Sequence, residues 1–182
     1  QTLFGENRVQ EAFAKFTQIN SVSKIKPELH IIGSLQTNKV KKAVEIASCI
    51  QSVDREELLA EIEKQCAKIE VFFEIHTGED SKSGYKEKAV LLKSVENCAN
   101  GIYPHIVPKG LMTMAPFTQD EKLIRASFSE LRNLKDELNK NFPSLEINEL
   151  SMGMSGDYKI AIEEGSTLVR IGTALFGERD YS

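Results

Sequence analysis

Ser151-Met-Gly-Met-Ser155, followed after one helix-forming stretch by Ser166-Thr-Leu-Val-Arg-Ile-Gly-Thr-Ala-Leu-Phe-Gly177, contains two short strands that each run into a glycine-bearing turn. Leu168, Val169 and Ile171 favour extended backbone, whereas Gly172-Thr173 lets the chain turn closely and opens a helical segment from Ala174 to Phe176. Free N–H groups at such a helix start, with the hydroxyls of Thr173 and Ser155 nearby, form a concave donor cluster suited to a dianionic phosphate. Taken singly, these glycines also fit ordinary strand-to-helix turns, so their place in the whole chain has to decide between the two readings.

Working outward, period-2 apolar runs alternate with longer stretches of period 3.6, the pattern of repeated βα units on a parallel sheet. Strand signals fall near Thr2 to Phe4, Leu29 to Ile32, Cys49 to Val53, Ile69 to Ile75, Gly110 to Met114, Ile147 to Met152 and Leu168 to Ile171. Helices are predicted over Glu6 to Ile19, Thr37 to Ala47, Arg55 to Ala67, Tyr85 to Cys98, Gln119 to Asn141 and Tyr158 to Glu164. The longest carries an apolar stripe of Leu123, Phe128, Leu131, Leu134 and Leu138, as an outer barrel helix requires. Asp54 and Asp157 stand where a carboxylate can cap the following helix.

The closed βα architecture has eight strands, and seven leave an open edge. The fold expected is therefore a TIM-type (β/α)8 barrel with about seven βα units present, its first strand missing and a first unit lying upstream of Gln1 or absent. An open doubly wound sheet is the rival, but no dinucleotide fingerprint supports it. In a barrel the ligand sits at the C-terminal ends of the strands, and phosphates are often held by the loops after the last two. The loops at Gly153 to Ser155 and Gly172-Thr173 occupy those places, which favours the phosphate reading. Polar or glycine-rich loops at Phe4 to Asn7, Ile32 to Asn38 and Thr77 to Gly84 share that end.

With 182 residues, 41% hydrophobic and 27% charged, the chain suits a single domain spanning 1–182. No apolar run approaches the roughly 20 residues of a membrane span, and a cytoplasmic protein is expected. A net charge of -4 without a basic stripe argues against nucleic acid, and Lys39, Lys41 and Lys42 read as a solvated helix face. Cys49, Cys66 and Cys98 lack CxxC pairing and are expected to be buried reduced thiols. His30, His76 and His105 lack metal-ligand spacing and are expected to be structural.

Phe4-Gly-Glu-Asn7 with Gln10-Glu11, His30-Ile-Ile-Gly33 with Leu35-Gln36 and Asn38-Lys39, Ser52-Val-Asp-Arg55, Gly78-Glu-Asp-Ser-Lys-Ser-Gly84, Gly110-Leu-Met112, Ser151-Met-Gly-Met-Ser155 and Val169-Arg-Ile-Gly-Thr173 with Phe176-Gly177 recur together in one family order. In these motifs, which cover nearly the whole chain, the sequence resembles the pyridoxal 5′-phosphate (PLP) homeostasis proteins, related to the barrel domain of alanine racemase. The resemblance implies PLP as cofactor. It matches Ser155, Gly172 and Thr173 to a phosphate grip, Arg170 to the arginine facing the pyridine nitrogen, and Asn7 and Met152 to residues lining the ring. Arg170 lies two residues before Gly172 on a strand, and so points to the same side as that turn. A salt bridge across the barrel mouth is the alternative for Arg170, a helix cap for Asn7 and a core position for Met152.

The family's Schiff-base lysine ends its first barrel strand, which would precede Gln1, so covalent attachment at that place is not expected within residues 1 to 182. Lys82 is a possible substitute at the same end of the barrel. An arginine beside the pyridine nitrogen disfavours its protonation and weakens the cofactor as an electron sink. The resemblance thus implies a non-catalytic binder that stores, buffers or delivers PLP, with free PLP and PLP-dependent apoenzymes as partners, as monomer or weak dimer. A single-domain amino-acid racemase is the alternative, although none of Tyr85, Tyr103, Tyr158 and Tyr181 lies in a motif suggesting a second base. A phosphate-binding barrel enzyme for a sugar phosphate is a further alternative, with Glu6 and Glu79 or Asp80 as its loose acid/base candidates.

Overall fold

The structure, a computed structural model, describes residues 1–22, 24, 27–77 and 83–177, with Asn20 as backbone only. Lys82, Glu79, Asp80 and Tyr181, named above as candidates, lie outside the described residues. Strands and helices alternate along the chain: β1 (Leu3–Glu6), α1 (Val9–Val22), β2 (Glu28–Ile31), α2 (Val40–Ile46), β3 (Cys49–Val53), α3 (Glu56–Gln65), β4 (Ile69–Glu74), α4 (Lys88–Ala99), β5 (Ile106–Met112), α5 (Glu121–Asn141), β6 (Glu149–Met154), α6 (Tyr158–Glu163), β7 (Leu168–Arg170) and α7 (Thr173–Phe176).

Every strand pairing is parallel and the spatial order follows the chain from β1 to β7, which makes a nearly closed βα barrel. Among the described residues β1 and β7 each keep one unpaired edge. Both are accordingly only partly covered, whereas all five residues of β3 are buried, as expected where a parallel strand is packed on both faces.

Strand alternation sorts the core into two layers. Leu29, Ile31, Ile50, Val71, Phe73, Leu111, Leu150 and Met152 join one cluster with helix residues such as Phe16, Leu58, Leu91, Phe128 and Ala161. Their opposite-parity neighbours Cys49, Phe72 and Met112 form a second cluster that fills the barrel interior. Gly33 brings the β2–α2 loop against β1: a Cβ there would collide with the Asn7 carbonyl and lie 2.8 Å from its Cα. Only glycine permits that approach, which draws two loops of the same barrel end together.

All the elements expected from periodicity are present, with instructive differences. β5 starts at Ile106, ahead of the expected Gly110, because Pro108 sits where the β4–β5 register shifts between Val71 and Phe72, and a bulge spares the missing N–H. In α5 the buried stripe is Ile124, Phe128, Leu131 and Leu138, while Leu123, one residue out of phase, is half exposed. Neither expected aspartate cap forms. Asp54 instead pairs with the Arg55 guanidinium, and Asp157 accepts the Met154 N–H at 2.6 Å. Of the cysteines, all free, Cys66 is only partly buried. His105 is exposed, its Nδ1 lying 2.6 Å from Glu63.

Glu56 at the start of α3 ties three helical-layer groups together. Its carboxylate accepts from Ser94, from Asn97 at 2.7 Å and from the Tyr103 hydroxyl at 2.5 Å. Burial pushes the Glu56 carboxyl up, but these bonds outweigh it and hold the pKa below the ordinary 4.5. A depressed carboxyl stabilises the fold above the unfolded pKa, and that stabilisation disappears as pH falls through the folded value. Urea unfolding of Glu56→Leu is therefore expected to show a loss of about 1–2 kcal/mol at pH 7 relative to the native chain. The gap should narrow toward pH 3; a gap independent of pH would contradict this role.

Candidate functional site

The mouth of the barrel is built where β5, β6 and β7 end. Arg170, the last residue of β7, sends Nη1 to the Ser151 carbonyl at 2.8 Å and to the Ser151 hydroxyl at 2.7 Å, and Nη2 to the Thr113 carbonyl at 2.8 Å. The planar guanidinium thus ties three strands together, and among the described residues it makes no salt bridge. Burial lowers its pKa to about 10, with Glu74 and Asp157 opposing, so the group stays charged at neutral pH.

Glu74, at the end of β4, is buried and accepts a 2.5 Å hydrogen bond from the Ser83 hydroxyl. Burial pushes its carboxyl above the ordinary 4.5, against the Ser83 bond and the Arg170 charge. The pattern reading did not single out Glu74. The signal was available: a carboxylate directly after the apolar run Val71 to Phe73, at the parity that faces the barrel interior.

Beyond Arg170 the chain turns at Gly172, and Gly172 and Thr173 are exposed. Among the described residues their backbone N–H groups have no hydrogen-bond acceptor. Across the mouth, Ser155 in the β6–α6 turn accepts the Ala174 N–H on its hydroxyl oxygen at 3.2 Å, leaving the hydroxyl hydrogen available. Two loops far apart in sequence thereby present the donors of Ser155, Gly172 and Thr173 together. Such a donor set, with a permanent cation behind it, fits the phosphate of a PLP-sized ligand.

The two residues matched to the ring are placed differently from each other. Asn7 follows β1, is exposed, and stands at the same barrel end. Met152 is fully buried in the strand–helix core, so the expectation that its side chain lines a ring does not fit its placement. Beyond Met152 the β6–β7 register shifts between Ser151 and Met154, and Gly153 takes a φ of 95°. Strand parity is thereby reset, and Met154, opposite Arg170 and 38% exposed, is the methionine at the rim.

Glu6, a candidate acid or base, is held 2.9 Å from Lys15 in an ion pair. Tyr85 and Tyr103 are turned into the helical layer, bonded to Ser94 and Glu56. No cluster of three metal-ligating side chains occurs among the described residues.

The chain is similar to known proteins along nearly its whole length. The alanine racemase N-terminal domain family matches residues 1–180. The chain is 40% identical to the pyridoxal phosphate homeostasis protein of Aquifex aeolicus, over 98% of this chain and 78% of that protein. It is 39% identical to the one from Pasteurella multocida, over 100% and 78%. Among solved structures it superposes on PipY of Synechococcus elongatus with PLP bound at a TM-score of 0.88, with 34% identity over 97% of this chain and 82% of that one. The alanine racemase of Corynebacterium glutamicum shares the fold at a TM-score of 0.75 with 16% identity. The chain belongs to the alanine racemase N-terminal domain family, among the pyridoxal phosphate homeostasis proteins.

Proposed function

We propose that this chain binds PLP at the mouth of its barrel and serves in PLP homeostasis, holding and releasing the cofactor for PLP-dependent apoenzymes in the cytoplasm without turnover of its own. The observation that carries this reading is the convergence of Ser155, Gly172 and Thr173 at the end of the strand that carries Arg170. PLP, when bound, supplies an aldehyde and an electron-withdrawing pyridine ring. The chain's own part is to hold the phosphate through the Gly172 and Thr173 N–H groups and the Ser155 and Thr173 hydroxyls. Arg170 keeps a positive charge fixed behind the ring by bonds to Ser151 and Thr113. Asn7 and Met154 stand at the rim on either side. The confinement of Tyr85 and Tyr103 to the helical layer supports a binder over a racemase. Among the described residues no helix is long and apolar enough to cross a membrane.

Titration with PLP, followed by absorbance and calorimetry, tests the assignment. Thr173→Val and Ser155→Ala are each expected to weaken binding about tenfold, the size of one charge-assisted hydrogen bond of about 1.5 kcal/mol. Unchanged affinity in both would remove the phosphate grip from these loops. Amino-acid racemisation at ordinary enzymatic rates by the loaded protein would overturn the non-catalytic part.

A further inference from the structure

Behind Arg170, three polar side chains of the barrel interior are joined in sequence. His30 on β2, Gln51 on β3 and Ser151 on β6 are all buried, Gln51 and Ser151 almost completely. They form one continuous line: His30 Nδ1 lies 2.7 Å from Gln51 Nε2, and the Ser151 hydroxyl donates to Gln51 Oε1 at 2.6 Å. Arg170 Nη1 closes the line at 2.7 Å from the Ser151 hydroxyl. Donor and acceptor roles follow from the arginine end, because a guanidinium can only donate. Ser151 must accept from Arg170 and give its own hydrogen to Gln51 Oε1. Gln51 then presents its NH2 to His30, whose Nδ1 must accept, so the neutral ring carries its proton on Nε2.

We infer that His30 is a positioning residue for Arg170, setting the direction of the guanidinium through Gln51 and Ser151. A line of hydrogen bonds with one polarity strengthens each member, and a reversed end disturbs all of it. When His30 takes a second proton, Nδ1 becomes a donor facing the donors of Gln51. The Gln51 amide must then turn over and present NH2 to Ser151, which receives donors from both sides and holds Arg170 less well. Glu28 and Glu70 favour the charged ring, Glu70 being itself 3.4 Å from Lys109. Burial opposes them and prevails, keeping His30 below its ordinary 6.5. Cys49, opposite His30 in the sheet, has its thiol pushed up by burial and stays neutral, while Glu74 and Asp157 act on the arginine end. Protonation of His30 therefore reaches the place where the ring of PLP would lie; that last step alone rests on the function proposed above.

The test uses the ligand-free protein. The His30 ring, the Gln51 side-chain amide and the Arg170 guanidinium are followed by nitrogen and proton NMR from pH 8 to pH 4.5. All three are expected to shift with one midpoint below 6.5, and in Gln51→Leu the Arg170 signal should stop following His30. An Arg170 or Gln51 signal that does not move with His30 in the unaltered chain overturns the relay, as does an Arg170 response that survives Gln51→Leu. The measurement on the unaltered chain decides even if the variant does not fold. At pH 8, PLP binding to Gln51→Leu is expected to weaken about fivefold, the worth of one lost hydrogen bond. Absence of PLP binding to the unaltered chain would defeat the cofactor reading and leave the NMR result on the relay intact.

Discussion

Arg170→Ala is expected to cost about 3 kcal/mol of stability and to reduce PLP affinity at least about tenfold. The side chain makes three hydrogen bonds, to the Ser151 carbonyl, the Ser151 hydroxyl and the Thr113 carbonyl. Truncation leaves the Thr113 and Ser151 acceptors without their charged donor, and β7 keeps its ladder to β6 but loses its side-chain tie across to β5. For a domain of this size that loss corresponds to a fall in Tm of about 6–12 °C. Arg170→Lys separates charge from geometry, since one ammonium keeps the charge but cannot fork between the carbonyls of two strands. It should recover only a minor share of the stability and of the affinity. Full recovery by lysine in calorimetry would reduce Arg170 to a point charge; an unchanged Tm in Arg170→Ala would remove it from the architecture.

Gly153→Ala is expected to cost about 2–5 kcal/mol, combining the strain of a side chain at positive φ with overpacking. Gly153 has a φ of 95°, and a Cβ there would stand 2.5 Å from the Ala161 Cβ and 3.0 Å from the Tyr158 Cα. Helix α6 would have to move outward, carrying the turn that contains Ser155. The contact of Ser155 with the Ala174 N–H would open, so weaker PLP binding should accompany the fall in stability. Gly156→Ala is the control: nothing lies within 4 Å of its Cβ position, and its stability should stay within about 0.5 kcal/mol of the unaltered chain in denaturant titrations. Equal effects of the two substitutions would show that the bulge at Gly153 has no special packing requirement.

Much of the barrel was legible before any coordinates. Continuous apolar runs such as Val71 to Phe73 mark strands covered on both faces, and the period of α5 marks a helix covered on one. The two donor-bearing turns were legible because their chemistry is local: glycine, hydroxyl and helix start lie within a few residues. Met152 was matched to the ring by family resemblance alone; strand alternation, which turns Ser151 toward the barrel interior, turns Met152 to the helix-facing side. Asp54 and Asp157 were misread as caps because a carboxylate next to a helix has competing partners, here Arg55 and the Met154 N–H. Glu74, Gln51 and His30 carried only a weak signal, a polar residue at inward parity, with nothing local to name its partner.

The amino-acid sequence alone determined the succession of βα units and the donor-rich character of the last two turns, since both depend on backbone preferences within a few residues. Tertiary structure alone decided that Ser155 meets the start of α7, that Arg170 staples β5, β6 and β7, and that His30 connects to Arg170 through two further strands. Those contacts join residues up to 100 positions apart, as Gln51 and Ser151 are. Their partners are selected by sheet register and by the need to satisfy every polar group shut inside a barrel, and neither constraint exists until the barrel has closed around them.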